Sequence, residues 1–324
     1  MKQVNLKVLE KKINEDYTNI AGIVILQGGL IKYENYFNDC TAASTIHVAS
    51  VTKSIIAILF GIAIDRGDIE SLEKKVIEFF PEYTIKDSEE ILQKITIKDM
   101  MTMTAPYKYQ EGPYIEYFTS EDWVTFSLDL LGGKNEIGEF RYAPLIGPDI
   151  LSGILMKVTG QSVFDFAEKY LFTPLGIKVQ NKIIFNSEEE QMNFLNAKNI
   201  SGWVMDKCGT NSAGWGLTLK AMDMAKIGQL YLNHGDYNGH QIVSAKWVED
   251  CTKEQSRWKE LDLSYGYLWW LDEECYMAMG DGGNVIYVNP KKDLVVAIAA
   301  LFKPDVNDRV EFIKSYIEPL FNEQ

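Results

Sequence analysis

An unbroken apolar run at residues 55–64 constrains the fold of this 324-residue chain more than any other feature. The run is far shorter than the roughly 20 residues that a membrane-spanning helix needs. It ends near Arg66-Gly67, where a glycine is suited to stop a helix. A helix that is apolar on all sides must be surrounded by protein. The run therefore predicts a helix buried at the centre of a large domain.

Ser50 and Lys53 stand three positions apart, just before this run. On a helix, that spacing places both side chains on one face of the first turn, beside unpaired backbone N–H groups. A serine beside an ammonium is a candidate covalent nucleophile, because serine is inert unless a neighbour takes its proton. The alternative is a helix-capping serine and a lysine whose stem is buried while its charge reaches solvent.

The same Ser-x-x-Lys spacing occurs twice more, at Ser71/Lys74 and Ser256/Lys259. Both pairs lie among charged residues, and neither is followed by an apolar run. The spacing alone is therefore not specific, and the buried helix behind Ser50 is what distinguishes that pair.

The charge of the chain excludes several classes of partner. The formal net charge is −14, and no useful cluster of Lys or Arg interrupts the acidic balance. Nucleic acids and anionic membranes both require a basic surface. The first residues contain no apolar stretch of the kind that a secretory signal needs. We therefore expect a cytoplasmic protein that binds neither nucleic acid nor membrane.

The cysteines and histidines do not form a metal-binding or disulfide pattern. Four cysteines are scattered without a Cys-x-x-Cys pair, and the three histidines do not form His-Glu-x-x-His. A Gly-x-Ser-x-Gly elbow, typical of α/β-hydrolases, is also absent from the sequence. We expect reduced cysteines, no metal and no cofactor.

Strand-like segments lie near both ends of the chain, with helical segments between them. Gly28-Gly29 separates two strand-like segments and predicts a hairpin. The pattern predicts an α/β (α+β) fold, with an antiparallel sheet built from both termini, flanked by helices, and an inserted mostly helical region. The predicted strands are residues 21–27, 30–37, 265–270, 276–279, 285–288 and 294–302, and the predicted later helices are residues 219–233, 244–252 and 306–321.

Several motifs, in the expected order over roughly residues 20 to 305, resemble the serine β-lactamase/penicillin-binding-protein family, in its class C-like esterase and peptidase branch. Ser50-Val51-Thr52-Lys53 resembles the nucleophile motif, Phe140-Arg141-Tyr142 the start of the tyrosine motif, and Gly280-Asp281-Gly282-Gly283 the third motif. The resemblance implies an α/β domain of residues 1–60 and 205–324, a mostly helical domain of residues 61–204, and an active site in the cleft between them.

The resemblance also implies a role for each site residue. Ser50 would form an acyl-enzyme that water then hydrolyses, and Lys53 would accept the serine proton or keep another base deprotonated. Tyr142 is the candidate base, provided that a nearby ammonium lowers its pKa from the usual value near 10. Its alternative role is that of a core aromatic residue. The oxyanion would bind the backbone N–H groups of Ser50 and Asn284.

Glycines 282 and 283, just before Asn284, would let this strand approach a substrate closely, although a bulge between two strands is the alternative interpretation.

Two motifs depart from the family pattern. The second motif usually reads Tyr-x-Asn, but Pro144 stands in place of the carboxamide. The third usually begins with Lys, His or Trp, whereas Asp281 occupies the matching position. We predict a serine hydrolase that acts on an ester, amide or peptide bond of a small molecule or peptide, and that is not an efficient β-lactamase. The alternative is a binding or regulatory module in which catalysis is reduced.

Overall fold

The computed structural model describes residues 3–85 and 89–321. The strands are β1 (Ile20–Gln27), β2 (Leu30–Tyr36), β3 (Ile46–His47), β4 (Asn181–Ile183), β5 (Gly202–Val204), β6 (Thr218–Leu219), β7 (Asp236–Tyr237), β8 (His240–Gln241), β9 (Ser256–Trp258), β10 (Leu263–Tyr265), β11 (Trp270–Leu271), β12 (Tyr276–Gly280), β13 (Asn284–Asn289) and β14 (Leu294–Ala300).

The α-helices are α1 (Gln3–Asp16), α2 (Val51–Asp65), α3 (Ile97–Met101), α4 (Tyr114–Thr119), α5 (Trp123–Leu130), α6 (Asp149–Thr159), α7 (Val163–Ala167), α8 (Glu188–Leu195), α9 (Ala221–Leu232), α10 (Ala245–Cys251) and α11 (Arg309–Phe312). A π-helical turn, Glu168–Phe172, continues α7. Short 3-10 turns lie at Val76–Phe79, Glu90–Gln93, Asp281–Gly283 and Pro290–Lys292.

An eight-stranded antiparallel sheet forms the centre of the structure, in the order β2-β1-β14-β13-β12-β11-β10-β9. Strands from both ends of the chain meet where β1 pairs with β14. Successive residues of a strand point to opposite faces. Ile286 packs against Gly228 of α9, whereas Tyr287 donates a hydrogen bond to Glu318 of the C-terminal helical segment. Helices therefore cover both faces, and the predicted α/β fold class is confirmed.

The apolar run forms α2, as predicted. Residues 51–63 are all buried, and the helix lies against α6 and strand β12. In the described ranges, 3–85 and 89–321, we find no helix that is long and apolar enough to cross a membrane. Helix α2 contacts both the central sheet, at β12, and helix α6.

The hairpin β1–β2 is also confirmed, and both of its turn glycines have positive φ angles, 60° and 70°. The prediction of one strand over residues 265–270 is wrong. That segment is split between β10 and β11 by a tight turn, in which Leu268 has a φ of 58°. The turn is fixed to α2 by the hydroxyl of Ser54, which donates to the Leu268 carbonyl oxygen at 2.6 Å.

Differences also occur at the two ends of the chain. Helix α1 was not predicted, because its sequence is strongly charged and few of its side chains, such as Leu9 and Ile13, are buried. The predicted final helix begins later, at Arg309, where Asp308 caps it. Its later turns are π-helical, Ile313–Ile317, and then 3-10, Glu318–Phe321.

The predicted division into two domains stays a prediction. Within its bounds, residues 1–2, 86–88 and 322–324 lie outside the described residues.

Candidate active site

Ser50 occupies the N-cap position of α2, but its hydroxyl does not cap the helix. The residue before it, Ala49, has a φ of 48°, which a non-glycine residue rarely adopts. The side chain of Thr52 donates to the Ala49 carbonyl oxygen at 2.7 Å and helps to hold this bend. Strained backbone of this kind often occurs at functional sites. The hydroxyl of Ser50 is therefore left available for another partner.

Lys53 is that partner. Its Nζ atom lies 2.9 Å from Ser50 Oγ, 2.6 Å from the Pro144 carbonyl oxygen and 2.8 Å from the Gly214 carbonyl oxygen. The side chain is only 1% exposed, so it does not reach solvent as the alternative interpretation required. The three partners of Lys53 come from segments far apart in the chain: the start of α2, the loop before α6 and the segment before β6.

Burial changes the acidity of Lys53. Loss of solvation lowers its pKa from 10.5 to about 7. The negative charges of Asp281 and Asp149 oppose this shift. A substantial fraction of Lys53 is therefore a neutral amine near pH 7, whereas an exposed lysine would be almost fully protonated.

Tyr142 lies beside the pair. Lys53 Nζ is 5.3 Å from the centroid of its ring, and the ring packs against Trp270 at 5.3 Å and Tyr265 at 6.5 Å between centroids. Burial raises the pKa of Tyr142 to about 12, although the hydroxyl of Ser50 acts in the opposite direction. The structure thus brings Ser50, Lys53 and Tyr142 together, but this raised pKa does not favour the phenolate expected from the resemblance.

The third-motif segment is arranged differently from the expectation. A Cβ atom added to Gly280 would lie 3.0 Å from the Ser50 amide nitrogen and 2.3 Å from the Val48 carbonyl oxygen. The next two glycines contact other groups, because Gly282 lies against Leu301 and Gly283 against the Arg309 guanidinium. Strand β12 therefore approaches the nucleophile most closely at Gly280.

Asn284 is buried at the start of β13, where it pairs with Gly280. Its side-chain amide donates to the carbonyl oxygens of His47 and Asp281, at 3.3 and 2.9 Å, and its side-chain oxygen accepts from the Ala300 amide at 2.9 Å. Asn284 thus connects the segment before the nucleophile to the turn that carries Asp281.

Asp281 is exposed at the rim of the site. Its charge acts on both catalytic candidates, since it raises the pKa of Lys53 and of Tyr142. Together with Met279 and Trp270, it lines a groove of about 910 Å³ beside β12. The groove continues along the C-terminal helical segment to Lys314. Ser50, Lys53 and Tyr142 are not among the residues that line this groove, so the groove meets the candidate site at Gly280 and Asp281.

His47, three residues before Ser50 in the chain, has a structural role. Its Nε2 atom accepts a hydrogen bond from the Gly216 amide at 3.1 Å, and burial lowers its pKa to about 4. A neutral imidazole whose acceptor nitrogen is already occupied is not available as a base for Ser50.

The two carbonyl oxygens that bind Lys53 could not be predicted from the sequence. Any residue carries a backbone carbonyl, so no residue type indicates these acceptors. Pro144 is instructive, because it lacks the carboxamide of the usual motif, yet its backbone oxygen accepts from Lys53. The departure at this position therefore leaves the lysine with a hydrogen-bond acceptor.

Comparisons with known proteins show the family of the chain. A model of the Beta-lactamase family matches residues 11–312. The 6-aminohexanoate-dimer hydrolase of Paenarthrobacter ureafaciens is 23% identical over 312 residues, covering 89% of this chain and 74% of that protein.

Solved structures share the fold. The putative 6-aminohexanoate-dimer hydrolase from Bacillus anthracis superposes with a TM-score of 0.72 at 20% identity, covering 96% of this chain and 81% of the other. A family VIII carboxylesterase gives a TM-score of 0.70 at 14% identity, covering 97% and 96%. With a family model that spans nearly the whole chain, the resemblance is confirmed: the chain belongs to the Beta-lactamase family and is a serine hydrolase of that family.

Proposed function

We propose that Ser50 is the nucleophile, and that neutral Lys53 is the base that activates it towards a linear amide or ester. Ser50 Oγ attacks the substrate carbonyl carbon while its proton passes to Lys53 Nζ. The tetrahedral intermediate then collapses, the bond to the leaving group breaks, and an acyl-enzyme remains on Ser50. Water attacks this acyl-enzyme, releases the acid and restores the serine.

The single observation that carries this proposal is the hydrogen bonding of Lys53. A neutral amine has two N–H donors and one lone pair. The carbonyl oxygens of Pro144 and Gly214 can only accept, so they use both donors. The lone pair then faces the hydroxyl of Ser50 at 2.9 Å, which is the geometry of a general base. Lys53 is therefore oriented to accept the serine proton.

Tyr142 takes the complementary role of proton donor in this proposal. With a pKa of about 12, its hydroxyl stays protonated throughout the neutral range. A protonated phenol near Ser50 can protonate the departing amine or alkoxide, which is a poor leaving group while it is negatively charged. The proton that Lys53 took from Ser50 then passes to the Tyr142 phenolate, and both residues return to their starting states.

A Tyr142→Phe variant tests this role by comparing two kinds of ester. We expect acylation by an alkyl ester or amide to fall by about 10²–10⁴-fold, the usual value of general acid–base assistance. Acylation by a p-nitrophenyl ester should fall much less, because p-nitrophenolate leaves without a proton. The measurement is kcat/KM for both substrates. Equal losses for both would assign Tyr142 to the attack step instead.

The oxyanion site would be formed by the backbone N–H of Ser50 and the adjacent edge of β12. We propose that Gly280 supplies the close approach, since any side chain at this position would contact Ser50 and Val48. Asn284, predicted as the second donor, supports this edge through its bonds to the carbonyl oxygens of His47 and Asp281.

The substrate class follows from Asp281 and from the relatives. One relative is named for a linear amide, the 6-aminohexanoate dimer, and another structure is a carboxylesterase. A carboxylate at the rim of the groove repels anionic substrates such as penicillins and attracts cationic ones. We therefore propose neutral or cationic linear amides or esters, or short peptides, and weak or absent β-lactam hydrolysis.

Reversing the charge at Asp281 tests this specificity. The substrates are three p-nitrophenyl esters of equal chain length that end in an ammonium, a methyl or a carboxylate group. In Asp281→Lys, we expect the ratio of kcat/KM for the anionic ester to that for the cationic ester to rise by about tenfold or more.

Asp305→Lys is the matched control, because Asp305 is another exposed carboxylate lining the same groove. It changes the net charge equally, and its effect on this ratio should be small. An unchanged ratio in Asp281→Lys, or efficient cephalosporin hydrolysis by the wild type, would show that Asp281 does not face the substrate.

A second candidate function, a binding or regulatory module without catalysis, is less well supported. Its basis was the altered motifs at Pro144 and Asp281. The hydrogen bonds of Lys53 include the Pro144 carbonyl oxygen, so this alteration preserves a contact of the lysine. Incubation with a fluorophosphonate, read by intact mass, distinguishes the two functions, because only an activated serine gains the adduct.

A further inference from the structure

Asp149 is a fully buried carboxylate that belongs to none of the expected motifs. It is the first residue of α6, with 0% exposure, and both of its oxygens bind groups outside that helix. Oδ1 accepts from the backbone N–H of Ala213 at 2.7 Å, and Oδ2 accepts from the hydroxyl of Tyr117 at 2.6 Å. A buried carboxylate is costly unless it is bonded in this way, so its position invites a functional explanation.

The bond to Ala213 connects Asp149 to Lys53. Ala213 precedes Gly214, whose carbonyl oxygen accepts from Lys53 Nζ at 2.8 Å. The other carbonyl that binds Lys53 is that of Pro144, five positions before Asp149 in the chain. The Asp149–Ala213 hydrogen bond therefore joins the two segments that bind Lys53. Pro144 precedes Asp149 in one segment, and Gly214 follows Ala213 in the other.

The two segments also touch directly. A Cβ atom added to Gly214 would lie 3.0 Å from the Pro144 carbonyl oxygen and 3.2 Å from that of Leu145. These contacts form a closed circuit. It consists of the chain from Pro144 to Asp149, the hydrogen bond from Ala213 to Asp149, and the hydrogen bonds from Lys53 to the Pro144 and Gly214 carbonyl oxygens. Asp149 holds the N–H of the Ser212–Ala213 peptide, and the Gly214 carbonyl that accepts from Lys53 follows in the same segment. We therefore expect a change at Asp149 to loosen this segment and displace an acceptor of Lys53.

The titratable groups that act on this circuit come from several elements of the structure. Lys53 faces Asp149 from α6, Asp281 from the turn after β12, and Tyr142 from the loop before α6. Asp149 in turn faces Tyr117 from α4, Asp206 from the loop after β5, and Lys53. Burial raises the pKa of Asp149 to about 6, so it is mostly ionised at neutral pH, and its charge raises the pKa of Lys53.

We infer that Asp149 is a positioning residue for the reaction: through its hydrogen bond to Ala213 it fixes the carbonyl oxygens that orient Lys53, and its buried negative charge acts on Lys53. This inference rests on the proposed function of Lys53. It assigns Asp149 no contact with the substrate.

The test compares Asp149→Asn and Asp149→Ala by the rate of fluorophosphonate labelling between pH 5 and 9. Asparagine can still accept from Ala213, but it carries no charge. We expect the rise of the rate with pH to move to lower pH by about one unit, with a plateau near that of the wild type. Alanine removes the bond to Ala213 as well. Its plateau should fall by about tenfold or more, because small displacements of a catalytic group are costly.

Asp206→Asn is the matched control. Asp206 is also a buried carboxylate, which accepts from the backbone N–H groups of Trp123 and Thr210 at 2.9 and 2.7 Å. Asp206 raises the pKa of Asp149, so its loss keeps Asp149 ionised. Asp206→Asn should therefore lower thermal stability without moving the pH dependence to lower pH. An unmoved pH dependence in Asp149→Asn would overturn the inference.

Tyr117→Phe repeats the test if Asp149→Asn does not fold. Loss of this hydrogen bond raises the pKa of Asp149 further, so a smaller fraction of it is ionised near pH 7 and the pH dependence should move in the same direction. Failure to move would again overturn the inference. A wild type that is not labelled at Ser50 would instead contradict the proposed function itself, which separates the two outcomes.

Discussion

Ser50→Ala should abolish covalent labelling and reduce hydrolysis to the background level, while the fold stays intact. Only the hydroxyl is removed, and this hydroxyl makes no capping bond that α2 would lose. Because acylation needs an oxygen nucleophile at this position, no partial activity through the acyl-enzyme is expected. The measurement combines intact mass after fluorophosphonate treatment with turnover of a p-nitrophenyl ester.

Two other serines of the chain provide matched controls. Ser71 and Ser256 share the spacing to a lysine, but their hydroxyls have different partners. The Ser71 hydroxyl accepts from the Glu73 amide at 3.1 Å, and that of Ser256 donates to the Thr102 carbonyl oxygen at 2.6 Å. Ser71→Ala and Ser256→Ala should label at the wild-type rate. Labelling that persists in Ser50→Ala, or maps to either of these serines, would contradict the assignment of the nucleophile.

Substitution of Lys53 is expected to reduce the acylation rate strongly, and this is the second large effect. Lys53→Met keeps most of the apolar stem but removes the amine, and the acylation rate should fall by about 10²–10⁴-fold. Lys53→Arg is the more informative variant. A guanidinium stays protonated in proteins and cannot accept the serine proton, so this variant should be as slow as Lys53→Met.

The arginine variant also distinguishes two mechanisms. If the lysine served only as a cation that stabilises a Tyr142 phenolate, arginine would preserve much of the activity. Substantial acylation by Lys53→Arg, in a protein whose thermal unfolding shows a native fold, would therefore favour the phenolate mechanism. Circular dichroism of both variants is required, because each one changes a side chain that is 1% exposed.

Much of the fold follows from local patterns. The all-apolar run predicts a buried helix, and the Gly28-Gly29 turn between two strand-like segments predicts a hairpin. The tight turn at Leu268 could not be predicted, because an unbroken apolar and aromatic segment resembles a strand. That turn depends on a hydrogen bond from Ser54, far away in the sequence. Tertiary contacts, not local propensity, decide the structure there.

In the candidate site, too, some features could be predicted from the sequence and others could not. Ser50, Lys53 and Tyr142 carry side chains with recognisable chemistry, so a motif can indicate them. The acceptors of Lys53 are backbone carbonyls, and the approach of β12 occurs at Gly280 and not at the glycine pair that follows Asp281. Asp149 lacks a motif of its own. The protonation states were also beyond the sequence, because burial sets the pKa values of Lys53 and Tyr142.

The most direct test of a neutral Lys53 base is the pH dependence of wild-type acylation, followed by labelling rate or by the burst of p-nitrophenol. The pKa of Lys53 is lowered to about 7, and the neutral amine is the active form. The rate should therefore rise with pH through about 7 and reach a plateau by about pH 8 to 9. A rate that continues to rise through pH 10 would show that a phenolate or another weak acid must ionise, and would contradict Lys53 as the base.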